Sequence, residues 1–185
     1  MKYPDIYVGL LLALVATGCD DDSCVTVGEP CEGGILAYVL SQGDPGYDRE
    51  VPHGLIAFEN DNSTGIPWSN GSEIDTGATG VAIGTGAANT ATIVEAQGEG
   101  VYAASLCADL EHDGYTDWYL PSEHEIQAIV PSRHAIGGFD ETACYWTSTQ
   151  FGPRHSWLEC IDGRIASVGY YDNSDLHYVR AIRSF

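Results

Sequence analysis

Apolar positions change their spacing twice along the chain, and each change marks a different kind of element. "ILAYVL" (35–40) and "HGLIAFE" (53–59) are short, nearly continuous apolar runs, which suits buried strands; Gly43, Pro45 and Gly46 break the chain between them. Residues 60–79 are polar and Gly-rich, a long loop with Trp68 as its one large apolar anchor. The spacing then becomes helical. Asn89 or Thr90 is placed to cap a helix through Gln97, and Val101 to Glu111 form a second with the apolar face Ala103-Leu106-Cys107-Leu110. Ser122-x-x-Glu125 opens a third, which Pro131 ends. From residue 144 strand texture returns, at 144–150, 155–161, 163–171 and 177–185. Helices in the middle and strands at both ends predict one α+β domain, a mostly antiparallel sheet with flanking helices and long loops.

The first eighteen residues stand apart. Met1 and Lys2 lead into an apolar run from Tyr7 to Val15, too short to span a bilayer as a mature helix, then Ala16-Thr17-Gly18 and Cys19. This resembles a lipoprotein signal peptide over 1–18, which implies cleavage before Cys19 and lipidation of its sulfur. An ordinary signal peptide, with Cys19 in a disulfide, is the alternative. "DDDSCVTVGEPCEGG" (20–34) then reads as an acidic tether, so the expected layout is signal 1–18, tether 19–32 and domain 33–185.

Five cysteines remain after Cys19, an odd number. If 144–150 and 155–161 form a hairpin around Phe151-Gly152-Pro153-Arg154, facing positions sum to about 304 or 305, and Cys144 lies opposite Cys160. Cys24 and Cys31 flank Gly28 and Pro30 in a loop that can close. Cys107, on an apolar helix face, is left as a buried thiol.

Charge narrows the partners. Six Arg and one Lys against 27 acidic residues give −20. Such a surface repels nucleic acid and anionic headgroups, so membrane contact is expected through the lipid anchor only.

Catalytic and metal patterns fall away one by one. His124-Glu125 would begin a zinc-protease His-Glu-x-x-His, but position 128 is Ala. Gly84-x-Gly86 lacks the continuation of a dinucleotide loop, and no Gly-x-Ser-x-Gly elbow is present. The six histidines lack metal-ligand spacing. No enzyme activity, cofactor or metal is expected.

Further motifs carry a resemblance. "GGILAYV", "AIGTGAANTATIV", "AASLCADL", Asp117-Trp118-Tyr119-Leu120-Pro121-Ser122 with Glu125, "YWTSTQ" and "YVRAIRSF" resemble, in that order, the C-terminal domain of the Legionella collagen-like adhesin (Lcl). The Leu-Pro-Ser-x-x-Glu start and the Arg-bearing last strand also resemble the C-type-lectin-like group with formylglycine-generating enzymes. The resemblance implies paired N- and C-terminal strands and a long-loop surface for ligands. It also implies an anionic polysaccharide ligand, whereas the charge favours neutral glycan or protein. Catalytic cysteines do not carry over, nor do the lectin tripeptides, since Glu29-Pro30 is followed by Cys31 and Trp118 by Tyr119.

The expected function is therefore a lipid-anchored surface recognition module. Its ligand is placed on Trp157, Tyr170, Tyr171, Asp172, Asn173, Asp175 and His177, with help from Trp68: flat amphipathic rings beside short polar groups. The alternatives are a structural envelope lipoprotein or a variable receptor.

Overall fold

The computed structural model describes residues 24–161 and 169–185. Its first sheet runs β1 (Pro30–Cys31), β2 (Gly34–Val39), β3 (Gly54–Ala57) and β9 (Ile182–Ser184), all neighbours antiparallel. The second is ordered β4 (Ser63–Ile66), β8 (His177–Val179), β5 (Cys144–Gly152), β6 (His155–Cys160), β7 (Gly169–Asp172), antiparallel except where β5 meets β8. Between them in sequence come α1 (Gly86–Gln97), α2 (Ala103–Ala108), α3 (Glu123–Ile129), a 3-10 turn (Val130–Ser132) and α4 (Arg133–Ile136). The architecture is α+β, with two sheets where sequence texture predicts one.

Near-continuous apolar runs become strands buried on both faces. Leu36 and Ile56 face a core with Trp68, Ile93, Tyr102, Trp118 and Trp146, while their neighbours Ala37, Leu55 and Ala57 face a second core with Tyr119, Ile126, Ile129 and Tyr145. β9 closes this sheet against β3, so the chain's last strand pairs with its early ones.

The two sheets exchange chain at one place. The expected strand 177–185 breaks at Arg180–Ala181, so that β8 lies in one sheet and β9 in the other; beside it, 58–62 carries the chain from β3 to β4. Ala181 donates to Asn62 Oδ1 at 2.6 Å, and Phe58 N–H to Ala181 O at 2.9 Å. Arg180, fully buried, clasps the crossing. Its Nε and Nη2 donate to Asp61 Oδ1 at 2.9 and 2.7 Å, and Nη1 reaches the carbonyls of Phe58 (3.0 Å) and Gly137 (3.3 Å). The guanidinium lies 4.1 Å above the Phe139 ring. Gly138, at φ +71°, leaves room for it, because a Cβ there would run into Glu59 O and the guanidinium.

Three local expectations need correction. Helix α1 begins at Gly86, not at an Asn89 or Thr90 cap; the Asn89 amide instead grips Gly80, accepting its N–H at 3.1 Å and donating to its carbonyl at 2.7 Å. The 60–79 loop contains β4. The third helix ends at Ile129, ahead of Pro131 as expected; the 3-10 turn that holds Pro131, whose missing N–H costs nothing at a first turn, then leads into α4. Residues 24–32 are not only tether: Gly28 N–H donates to Leu36 O at 2.8 Å, and β1 adds to the first sheet. The signal peptide, Cys19, Asp20 to Asp22 and the 163–168 part of an expected strand lie outside the described residues.

Ser122-x-x-Glu125 is the capping box that its pattern predicts. Ser122 N–H donates to Glu125 Oε2 at 2.7 Å, and Ser122 Oγ accepts from Glu125 N–H at 3.4 Å. The carboxylate also holds the Gly84 loop, accepting its N–H at 2.8 Å, and Gly86 leaves the space that Glu125 fills.

Cys144 bonds to Cys160 and Cys24 to Cys31, while Cys107 is buried and free, with burial pushing its thiol pKa up. The register Cys144↔Cys160, Tyr145↔Glu159, Trp146↔Leu158 sums to 304 throughout. Replacing both Cys144 and Cys160 by Ser is expected to cost about 3 kcal/mol, the chain-entropy value for a loop of this size. Urea midpoints of the oxidised protein and the double variant measure it, and equal midpoints would refute it.

Candidate functional site

β5 does not keep its register. Past Trp146 its pairing slips to Gln150↔Ser156 and then Gly152↔His155, leaving a two-residue turn at Pro153–Arg154. Bulges add residues to β5 that have no partner on β6, and Phe151 emerges on the outer face of the sheet. On the same face β6 presents His155 and Trp157, and β7 sets Tyr170 opposite Trp157 and Asp172 opposite His155.

These side chains form one cluster. Phe151 and Tyr170 stack with centroids 4.1 Å apart and planes within 5°. Trp157 stands perpendicular to both, at 5.5 and 5.8 Å, and His155 meets Tyr170 edge-on at 5.6 Å. Phe151 stays 53% exposed and Tyr170 51%, too much for rings whose purpose is to fill a core.

Next to the cluster lies a polar cleft of about 120 Å³ lined by Ser69, Ser72, Glu73, Arg154, Asp172 and Asn173. Asp172 Oδ1 accepts from Ser174 N–H at 3.0 Å and Ser174 Oγ at 2.7 Å, and these bonds lower its pKa. Arg154 sits 3.4 Å from Glu73, both side chains 61% exposed. A second hollow, about 360 Å³, continues from it past Asn70, Gly100 and Val101. The larger hollow at the Cys24–Cys31 loop, about 430 Å³, is elsewhere, where the described chain begins.

Of the eight residues proposed from sequence, Trp157, Tyr170 and Asp172 share this face. Asp175 is exposed on the turn that follows, its N–H bonded to Asp172 O at 2.9 Å. Tyr171 points to the opposite side, as strand alternation requires, and packs on the core. Trp68 is a correction. It is fully buried and its Nε1–H donates to Thr147 O at 2.8 Å, so it anchors the 60–79 segment and is not available to a ligand. Asn173 is also a correction as an exposed contact: only 4% exposed, it donates its N–H to Arg154 O at 2.8 Å while its carbonyl accepts from Trp68 N–H at 3.0 Å. Phe151 and His155 were missed because their position depends on bulges, for which the residues carry no signal.

His177 likewise turns inward, edge-on to Trp146 at 4.7 Å and to Tyr171 at 5.5 Å. Burial lowers its pKa, against a smaller opposing pull from Asp175. The folded state therefore takes up this proton less readily than the unfolded chain. Its contribution is complete above the unfolded value near ~6.5 and declines as pH falls toward the depressed folded value. Between pH ~7.5 and ~5.5 the urea midpoint is expected to fall more in the wild type than in His177→Phe; identical slopes would remove His177 as the cause.

Residues 58–183 match the Lcl C-terminal domain. The chain belongs to that family. The match covers β4 to β8 and α1 to α4, and leaves β1 to β3 outside, although β3 pairs with β9 in the same sheet. This Lcl C-terminal domain is similar in fold to a solved fimbrial protein from Bacteroides ovatus, with a TM-score of 0.55 at 14% identity over 85% of this chain. It spans 44% of that protein's length, and at such identity the likeness is one of fold alone. No curated protein matches the sequence. Among the described residues no helix is long and apolar enough to cross a membrane.

Proposed function

We propose that this Lcl C-terminal domain is a non-catalytic surface recognition module, exported and held at the membrane by a lipid on Cys19, whose outer β5-β6-β7 face binds a neutral glycan or a protein. The exposed Phe151–Tyr170 stack carries this reading. Two large rings stay in water beside a cleft of hydrogen-bonding groups, a mixture that recognises ligands in other binding surfaces. Family membership supports an adhesion role, and pairing of β9 with the early strand β3 supports the C-type-lectin-like grouping. The non-catalytic reading draws on Glu125, a buried carboxylate with a raised pKa, being committed to Ser122, Gly84 and Tyr119 as structural donors.

Glycan and protein arrays probed with the wild type and with Phe151→Ser/Tyr170→Ser test the site. Both positions are half exposed, so the variant is expected to fold and to lose its ligands. Ligands kept at full strength would move the site elsewhere, and arrays with no ligand for the wild type would favour a structural envelope protein. For the anchor, Cys19→Ser is expected to release the protein from the membrane fraction, and unchanged association would refute lipidation.

A further inference from the structure

We propose that the cleft beside the aromatic cluster receives the guanidinium or ammonium head of a partner protein's Arg or Lys, whose apolar neighbour seats on Phe151 and Tyr170. The proposal rests on the recognition reading above and narrows its ligand from neutral glycan or protein to a protein segment with basic and apolar side chains together.

The cleft is built for a donor. Asn173 is 96% buried, and its Oδ1 has no hydrogen-bond partner among the described residues, although its Nδ2 reaches Pro153 O at 3.4 Å. An acceptor left unpaired at that depth costs stability until something donates to it. The cleft that Asn173 lines is also lined by Asp172, Glu73, Ser69 and Ser72, whose carboxylates and hydroxyls can accept from the several N–H groups of a guanidinium or ammonium. Arg154 already rests on Glu73, but at 3.4 Å with both side chains well exposed the pair is worth little and gives way to a better-placed cation.

The aromatic cluster fits the same partner better than it fits a sugar. Sugar rings need a free aromatic face. Here Phe151 and Tyr170 have turned one face each toward the other, and Trp157 and His155 crowd the pair edge-on. What remains exposed suits an aliphatic side chain or the stem of an Arg or Lys, to which aromatic rings offer both apolar contact and cation–π attraction. Tyr170 and Asp172 are two residues apart on one strand, on the same face. That separation, about 7 Å, is within reach of neighbouring side chains of a single peptide.

Charge points the same way. The chain carries −20, and four of its six arginines, Arg133, Arg154, Arg180 and Arg183, already face carboxylates of this protein. Such a surface draws in a basic partner from a distance, and the cleft gives that attraction an address.

The test titrates the wild-type domain with fluorescent peptides of alternating Leu and Arg, with Leu–Gln peptides of equal length, and with neutral oligosaccharides. The Leu–Arg peptide is expected to bind about tenfold or more tighter than Leu–Gln. Phe151→Ser/Tyr170→Ser and Glu73→Gln/Asp172→Asn should each lose about tenfold, whereas Glu95→Gln/Glu111→Gln, an equal charge change on exposed residues away from the cleft, should leave binding as it was. Equal losses in the two charge variants would mean general attraction to an acidic protein and would overturn the proposal. Aromatic-dependent binding of an oligosaccharide without binding of the Leu–Arg peptide would overturn it and leave the recognition site standing. If no probe depends on the aromatic pair, both readings fail.

Discussion

Arg180→Met is expected to lower stability by about 3–5 kcal/mol, the range for breaking a buried ion pair from one side. The change removes a guanidinium that is wholly buried and strands Asp61, whose side chain is 10% exposed, with one remaining hydroxyl donor, Tyr145 Oη at 3.0 Å. It also leaves the carbonyls of Phe58 and Gly137 without the donors that hold the crossing between sheets. Burial already raises the Asp61 pKa, and Arg180 is the principal force opposing the rise. Without Arg180 the folded pKa climbs further above the unfolded value near ~3.9. The folded state then holds the proton more tightly, so the deficit is smallest in acid and grows as pH rises through the window between the two values. Adding Asp61→Asn to Arg180→Met should restore part of the loss at neutral pH, because the stranded group no longer has a charge to desolvate. Chemical denaturation of the two single variants and the double variant, at neutral and acid pH, supplies the cycle. Additive losses would show that the pair is not coupled.

A comparable loss, about 3–5 kcal/mol, is expected for Trp68→Ala. Trp68 fills the core between Ile93, Tyr102 and Trp146 with no exposed surface, and its ring nitrogen is the donor for Thr147 O on β5. Truncation leaves a cavity that the neighbouring strands cannot close, and an unpaired carbonyl in its wall. Trp68→Phe keeps most of the ring and loses the donor, which should cost about 1–3 kcal/mol. Neither change touches the outer face. Folded Trp68→Phe is therefore expected to bind its ligand as the wild type does, while Phe151→Ser/Tyr170→Ser loses it at unchanged stability. A Trp68→Phe variant that kept its melting temperature and lost its ligand would put Trp68 back in the site.

The contrast between Trp68 and Phe151 shows what can be read from a chain of residues. Both are large rings in segments taken for loop or turn. Trp68 is buried because β4 and the segment after it fold back over the core; Phe151 is exposed because two slips of register rotate it outward. Neither outcome depends on the residue's own type or on its neighbours in sequence. Asn173 has the same lesson, since an Asn in a polar turn looks like a surface group until two distant segments, 68–69 and 153–154, close on it.

Short-range chemistry was legible. The Ser122-x-x-Glu125 box, the strands at 34–39 and 54–57, the Cys144–Cys160 pairing and the α+β class follow from periods of two and 3.6 and from hydrogen bonds between residues close in the chain. Those terms are local, so the sequence alone determines them. The tertiary structure decided where the last strand divides, which rings remain in water and which acceptor stays unpaired. Each of these depends on contacts such as Arg180 with Asp61, 119 residues apart, and on bulges that relieve the fit between packed layers. Such contacts are chosen by the competition of the whole chain for two small cores, and no local pattern records its outcome.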